Sequence, residues 1–84
     1  MVIEHVEKTD RFVGRIKRIK DNLLKRRIEK QIIKVLINPE IGKPMMYARK
    51  GTRELYIPPF RLSYAYIKEE NKIIFLDLYH KDEQ

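Results

Sequence analysis

The chemistry open to this sequence is that of its cations. Nineteen Lys and Arg stand against twelve Asp and Glu in 84 residues, a formal net charge of +7. Residues 8–34 alone carry eleven basic side chains against three acids, Asp10, Asp21 and Glu29, while the remainder is close to neutral. A field concentrated in this way attracts polyanions, whether nucleic acid, a ribosome or an acidic partner protein. The sequence contains no Cys, so it has neither a disulfide framework nor a thiolate metal site. His5 and His80 lie at opposite ends without metal-ligand spacing, and a structural zinc is excluded on ligand count.

The basic stretch must be carried by helices. Asp21-Asn22 is a capping signal, and over 22–37 the residues Leu24, Ile28, Ile32, Val35 and Leu36 fall within an arc of about 120°. Arg26, Arg27, Lys30 and Lys34 fall on the opposite arc, so this helix has one face for a core and one positive face. Asn38-Pro39 stops it, because Pro disfavours helix at the residue before it. Thr9-Asp10 caps an earlier helix over 9–19, with Phe12, Val13, Ile16 and Ile19 as its stripe. The short link between the two predicts an antiparallel pair. Val2, Ile3 and Val6 predict an opening strand at 2–6.

The second half alternates with period two, the signature of strands. In 53–57, Leu55 and Ile57 share one face; in 61–67, Leu62, Tyr64 and Tyr66 share one and Arg61, Ser63 and Ala65 the other. In 72–79 both parities are apolar. Pro58-Pro59 and Lys68-Glu69-Glu70-Asn71 are short links, so the three strands are read as an antiparallel meander. Residues 38–51 read as loop, with Met45-Met46-Tyr47 folding over the open end of the core. The expected architecture is α+β, β-α-α-β-β-β: a single domain over 1–84, with the N-terminal strand and helix pair packed on a small antiparallel sheet. No run approaches the roughly 20 apolar residues of a membrane span. The opening MVIEHVEKTD lacks a secretory signal pattern. The expectation is a cytoplasmic protein with no membrane partner.

The element order and several strings resemble the RelE/ParE toxin superfamily. They are Asn38-Pro39, Gly42-Lys43-Pro44, Gly51-Thr52-Arg53-Glu54-Leu55, Phe60-Arg61-Leu62-Ser63-Tyr64, and a last strand closing in Leu78-Tyr79-His80-Lys81. The resemblance implies the toxin of a type II toxin–antitoxin pair, with a cognate antitoxin as partner and no cofactor. RelE-like members cut mRNA in the ribosomal A site without a metal; ParE-like members inhibit DNA gyrase and lack the nuclease residues. Fold alone does not choose between them.

Metal-free RNA cleavage needs a proton taken from the 2′-hydroxyl, charge stabilised on the phosphorane, and a proton given to the leaving 5′-oxygen. Arg61 matches the Arg of the family's third-strand motif and faces away from the core, so it is the candidate phosphate ligand. Lys81 is the candidate second cation and His80 the candidate general acid. Tyr56 is a candidate base platform or proton handler. Arg26, Arg27, Lys30, Lys34 and Arg53 are candidate contacts to RNA or ribosome backbone. Two departures stand out. Glu54 and Tyr56 occupy the face where RelE-like members often place alternating lysines, and no Tyr follows the final basic residue. They put the sequence between the nuclease and non-nuclease branches, the latter acting by binding gyrase or an antitoxin.

Overall fold

The computed structural model describes residues 3–46 and 51–83. Strand β1 (His5–Lys8) leads into helix α1 (Asp10–Arg18) and, after three residues, helix α2 (Asn22–Ile37). A two-residue strand β2 (Lys43–Pro44) precedes β3 (Thr52–Ile57), β4 (Phe60–Ile67) and β5 (Lys72–His80). The five strands form one sheet in the order β1-β5-β4-β3-β2. The meander β2 to β5 is antiparallel, whereas β1 runs parallel to β5, with Val6 opposite Ile73 and Lys8 opposite Phe75. The sheet is therefore mixed. The first strand also starts later than its apolar residues suggested, because pairing with β5, and not the composition of 2–6, fixes its place. Val2 and Tyr47, assigned above to that strand and to the core-closing trio, lie outside the described residues.

Local signals explain the helices. Thr9 caps α1, its hydroxyl accepting from the Phe12 amide at 3.1 Å and donating to the Leu76 carbonyl at 2.6 Å, so one side chain both starts the helix and ties it to β5. The Asp21 carboxylate accepts from the Leu23 and Leu24 amides and starts α2. Ile28 and Val35 bury the apolar face of α2 as the period predicts.

Phe12, Ile28, Val35, Ile57, Leu62, Tyr64, Ile73, Phe75 and Leu78 form the core between helices and sheet. The last strand places Ile73, Phe75 and then Leu78 in it, a change of parity. A bulge causes it: Ser63 pairs with Asp77 and Tyr64 with Phe75, so Leu76 is the extra residue. The loop after α2 is pinned from the sheet. The Tyr64 hydroxyl donates to the Pro39 carbonyl at 2.7 Å and accepts from the Gly42 amide at 2.9 Å. A Cβ on Gly42 would lie 2.6 Å from that hydroxyl, so only glycine fits.

Candidate functional site

Register brings four side chains together on the sheet face away from the helices. Tyr56 pairs with Arg61 across β3 and β4, and Arg61 with Tyr79 across β4 and β5. Directly paired residues of antiparallel strands share a face, and Glu54 shares it as the alternate residue before Tyr56. The Arg61 guanidinium lies 3.5 Å from Glu54 Oε1 and 5.7 Å from the centroid of the Tyr56 ring. The Tyr79 phenol reaches over β4 and donates to Glu54 Oε2. Glu54 is only 6% exposed, the one charged side chain buried among the described residues. A carboxylate this far from water needs such partners. Arg61 keeps 38% of its side chain exposed, while its Nε is buried without a hydrogen-bond partner among the described residues.

A cleft of about 520 Å³ opens beside this group, lined by Ile41, Lys43, Met45, Met46, Tyr56 and Arg61 among others. Lys43 on β2 pairs with Glu54 on β3, so its side chain shares the Arg61 face. Met46 is 72% exposed, so it does not fold over the core as the sequence suggested. Among the described residues no three His, Asp or Glu side chains converge to hold a metal. In chemical terms the face offers a partly exposed guanidinium, a buried carboxylate, two phenols and a lysine.

The comparisons with known proteins fit this geometry. Residues 6–84 match the family model described as the ParE toxin of the type II toxin–antitoxin system parDE. The chain belongs to this family. No curated protein matches the sequence. Solved structures share the toxin's fold at low identity. One is the E. coli RelBE toxin–antitoxin complex, with a TM-score of 0.77 and 14% identity over 90% of this chain and 94% of that one. Another is the RelBE2 complex of Mycobacterium tuberculosis, with a TM-score of 0.79 and 21% identity over 95% and 100%. A third is a YoeB/ParE toxin of Agrobacterium tumefaciens, with a TM-score of 0.81 and 13% identity over 92% and 98%.

The toxin does not bring all its candidate residues to one place. His80 pairs with Phe60, one residue out of step with Arg61 and Tyr79. Its ring sits edge-on to Phe60 at 5.6 Å, and Nδ1 lies 3.5 Å from Asp82. Phe60 shares a cavity with Ile19, Leu24 and Leu78, so His80 lies on the helix side of the sheet, opposite Arg61. Alternation alone separates the two. Lys81 stays near the site's end of the sheet: it leaves β5 exposed, its amide bonded to the Pro59 carbonyl at 3.1 Å.

Arg53 is held by its own chain. Its Nη1 donates to the Glu40 and Gly42 carbonyls and its Nη2 lies 3.7 Å from the Glu40 carboxylate, so the side chain ties down the loop after α2. Arg27 donates to the Pro58 carbonyl at 2.7 Å, linking α2 to the β3–β4 turn. Arg26, Lys30 and Lys34 are exposed on the outer face of α2. Tyr79 and Lys43 were not among the candidates read from the sequence, since their place depends on the pairing of three strands.

Proposed function

We propose that the toxin arrests growth by metal-independent cleavage of mRNA at the ribosome and is held inactive by a cognate antitoxin. One observation carries the reading: Arg61, Tyr56 and Glu54 meet on a face that no described helix covers. Tyr56, half exposed beside Arg61, handles the proton of the 2′-hydroxyl, and that oxygen attacks the adjacent phosphorus. The exposed part of the Arg61 guanidinium stabilises the added charge on the phosphate oxygens. The bond to the 5′-oxygen breaks, with Lys81 as the nearby proton donor, leaving a 2′,3′-cyclic phosphate and a 5′-hydroxyl. Arg26, Lys30 and Lys34 contact ribosomal RNA backbone. Toxin–antitoxin complexes among the solved relatives, from E. coli and M. tuberculosis, support the antitoxin partner.

Induction of the toxin in a bacterial host, with mapping of 5′-hydroxyl RNA ends, tests this. Discrete cuts in translated mRNA are expected, absent in Arg61→Ala while that variant still folds. Growth arrest with intact mRNA would refute the reading. The ion pair of Arg61 with Glu54 favours a second one, in which the neutralised face only binds, as in a gyrase-directed toxin or an inactive antitoxin-binding module. That reading predicts an SOS response, or no toxicity, and no RNA fragments.

A further inference from the structure

A second concavity, of about 240 Å³, lies on the helix side of the sheet, where the end of α1 meets the start of β4 and the end of β5. Leu24, Phe60 and Leu78 give it an apolar floor, and Arg15, Arg18 and Lys20 stand around it. Leu78 is fully buried, but Leu24 and Phe60 are only half-buried, so part of that floor is open to solvent. Asp21, the one acid in the lining, already accepts from the Leu23 and Leu24 amides to cap α2. Arg15 is held by Asp77 of β5, Nε to Oδ1 at 3.5 Å. Arg18 and Lys20 are exposed and have no ion-pair partner among the described residues. Cations at the C-terminus of α1 complement the helix dipole. That accounts for their sign and not for the open apolar floor beneath them.

We propose that this pocket binds a small aromatic phosphate, of the chemical class of a free nucleoside monophosphate. An apolar hollow with a few polar groups fixing orientation is the usual form of a small-ligand site. Its volume is below the roughly 300–1,000 Å³ of a pocket that encloses a whole ligand. It therefore takes the planar ring and leaves the anion at the mouth, where the two exposed cations stand. The ring lies against Phe60, offset or edge-on. The phosphate meets Arg18 and Lys20, the guanidinium being suited to two-point contact. A polyanion backbone would use the cations and leave the floor empty. Phe60 precedes Arg61 on β4 and alternates with it, so this site and the Arg61 face lie on opposite sides of the sheet. The proposal is thus independent of how the toxin arrests growth.

The toxin's two histidines make the test direct. The His80 ring sits edge-on to Phe60 at 5.6 Å, whereas His5 pairs with Lys72 at the other end of β5. Proton NMR of the imidazoles therefore reports the pocket through His80 and carries His5 as its control. The protein is titrated at fixed pH and salt with adenosine 5′-monophosphate, with adenosine, and with inorganic phosphate. The His80 ring protons are expected to shift with the nucleotide and much less with either part at the same concentration, while those of His5 stay in place. Phe60→Leu weakens binding by about 2- to 12-fold, the scale of one aromatic pair. Arg18→Gln and Lys20→Gln, surface changes that leave the fold intact by circular dichroism, each weaken it by up to about 5-fold. Arg61→Ala leaves the His80 shift unchanged. A His80 signal indifferent to millimolar nucleotide overturns the proposal. So does inorganic phosphate acting as strongly as the nucleotide, or a shift that disappears in Arg61→Ala.

Discussion

Replacing Tyr64 by Phe removes one oxygen from a fully buried ring and tests how the loop carrying Lys43 is held. That oxygen donates to the Pro39 carbonyl at 2.7 Å and accepts from the Gly42 amide at 2.9 Å. Each bond contributes a net of about 1 kcal/mol, and a buried group left without a partner costs about 1–3 kcal/mol. The Gly42 contact is buried and the Pro39 contact only partly so, which lets water reach the carbonyl. The expected loss is therefore about 2–3 kcal/mol, and not the sum of the extremes. In a chain of this size each kcal/mol moves Tm by roughly 4–8 °C, so Tm falls by about 8–24 °C. Urea unfolding followed by circular dichroism measures it, with an unchanged m-value showing that the folded state stays compact. A loss below about 0.5 kcal/mol would refute the reasoning: the hydroxyl would then not be what holds the loop.

Three further outcomes follow from named contacts. The Cβ of Gly42→Ala would lie 2.6 Å from the Tyr64 hydroxyl oxygen and 2.8 Å from Cε1 of the ring; the variant is destabilised by about 1–3 kcal/mol, and its combination with Tyr64→Phe costs less than the sum, as a double-mutant cycle will show. Burial, the largest cause, raises the Tyr64 phenol above its usual value; the native state then keeps a proton that the unfolded chain releases near pH 10, so stability is full below that pH and declines as pH rises through the folded value. Denaturant midpoints across the alkaline range should fall more steeply for the wild type than for Tyr64→Phe. Thr9→Val removes the cap of α1 and its bond to Leu76, a loss of about 1–2 kcal/mol that Thr9→Ser should largely restore in the same unfolding assay.

The helices were legible because their signals are local. The stripe from Leu24 to Leu36, the Asp21 cap and Pro39 set the bounds of α2 without reference to the rest of the chain. Strands β3 and β4 were legible for the same reason, and with them the outward direction of Arg61 and Tyr56. What the sequence hid was register. Nothing local says that Val6 pairs with Ile73 in parallel, or that an extra residue at Leu76 changes which residues of β5 enter the core. Both parities of that strand are apolar, so alternation had no preference. The hidden parts of the site have the same origin: Tyr79 meets Glu54, and Lys43 faces it, only after three strands are paired. Arg53 and Arg27, read from the sequence as candidate RNA contacts, also bond backbone carbonyls, and such partners leave no mark in composition.

Glu54 is the residue on which the two functional readings divide, and the geometry narrows the objection it raises. A carboxylate beside the phosphate-binding Arg would be a fatal competitor if it used the whole guanidinium. It does not. The contact runs from Nη1 to Oε1 at 3.5 Å, a loose pair and not a fork. A guanidinium carries five donors; Nε is buried, but more than a third of the side chain stays open to solvent. A phosphate can therefore meet the exposed part of the guanidinium while Glu54 holds Nη1, and the pair orients Arg61 before RNA arrives. With Tyr79 holding Oε2 and Oε1 buried beside Arg61, the carboxylate is withdrawn from the open face and acts by orienting the guanidinium.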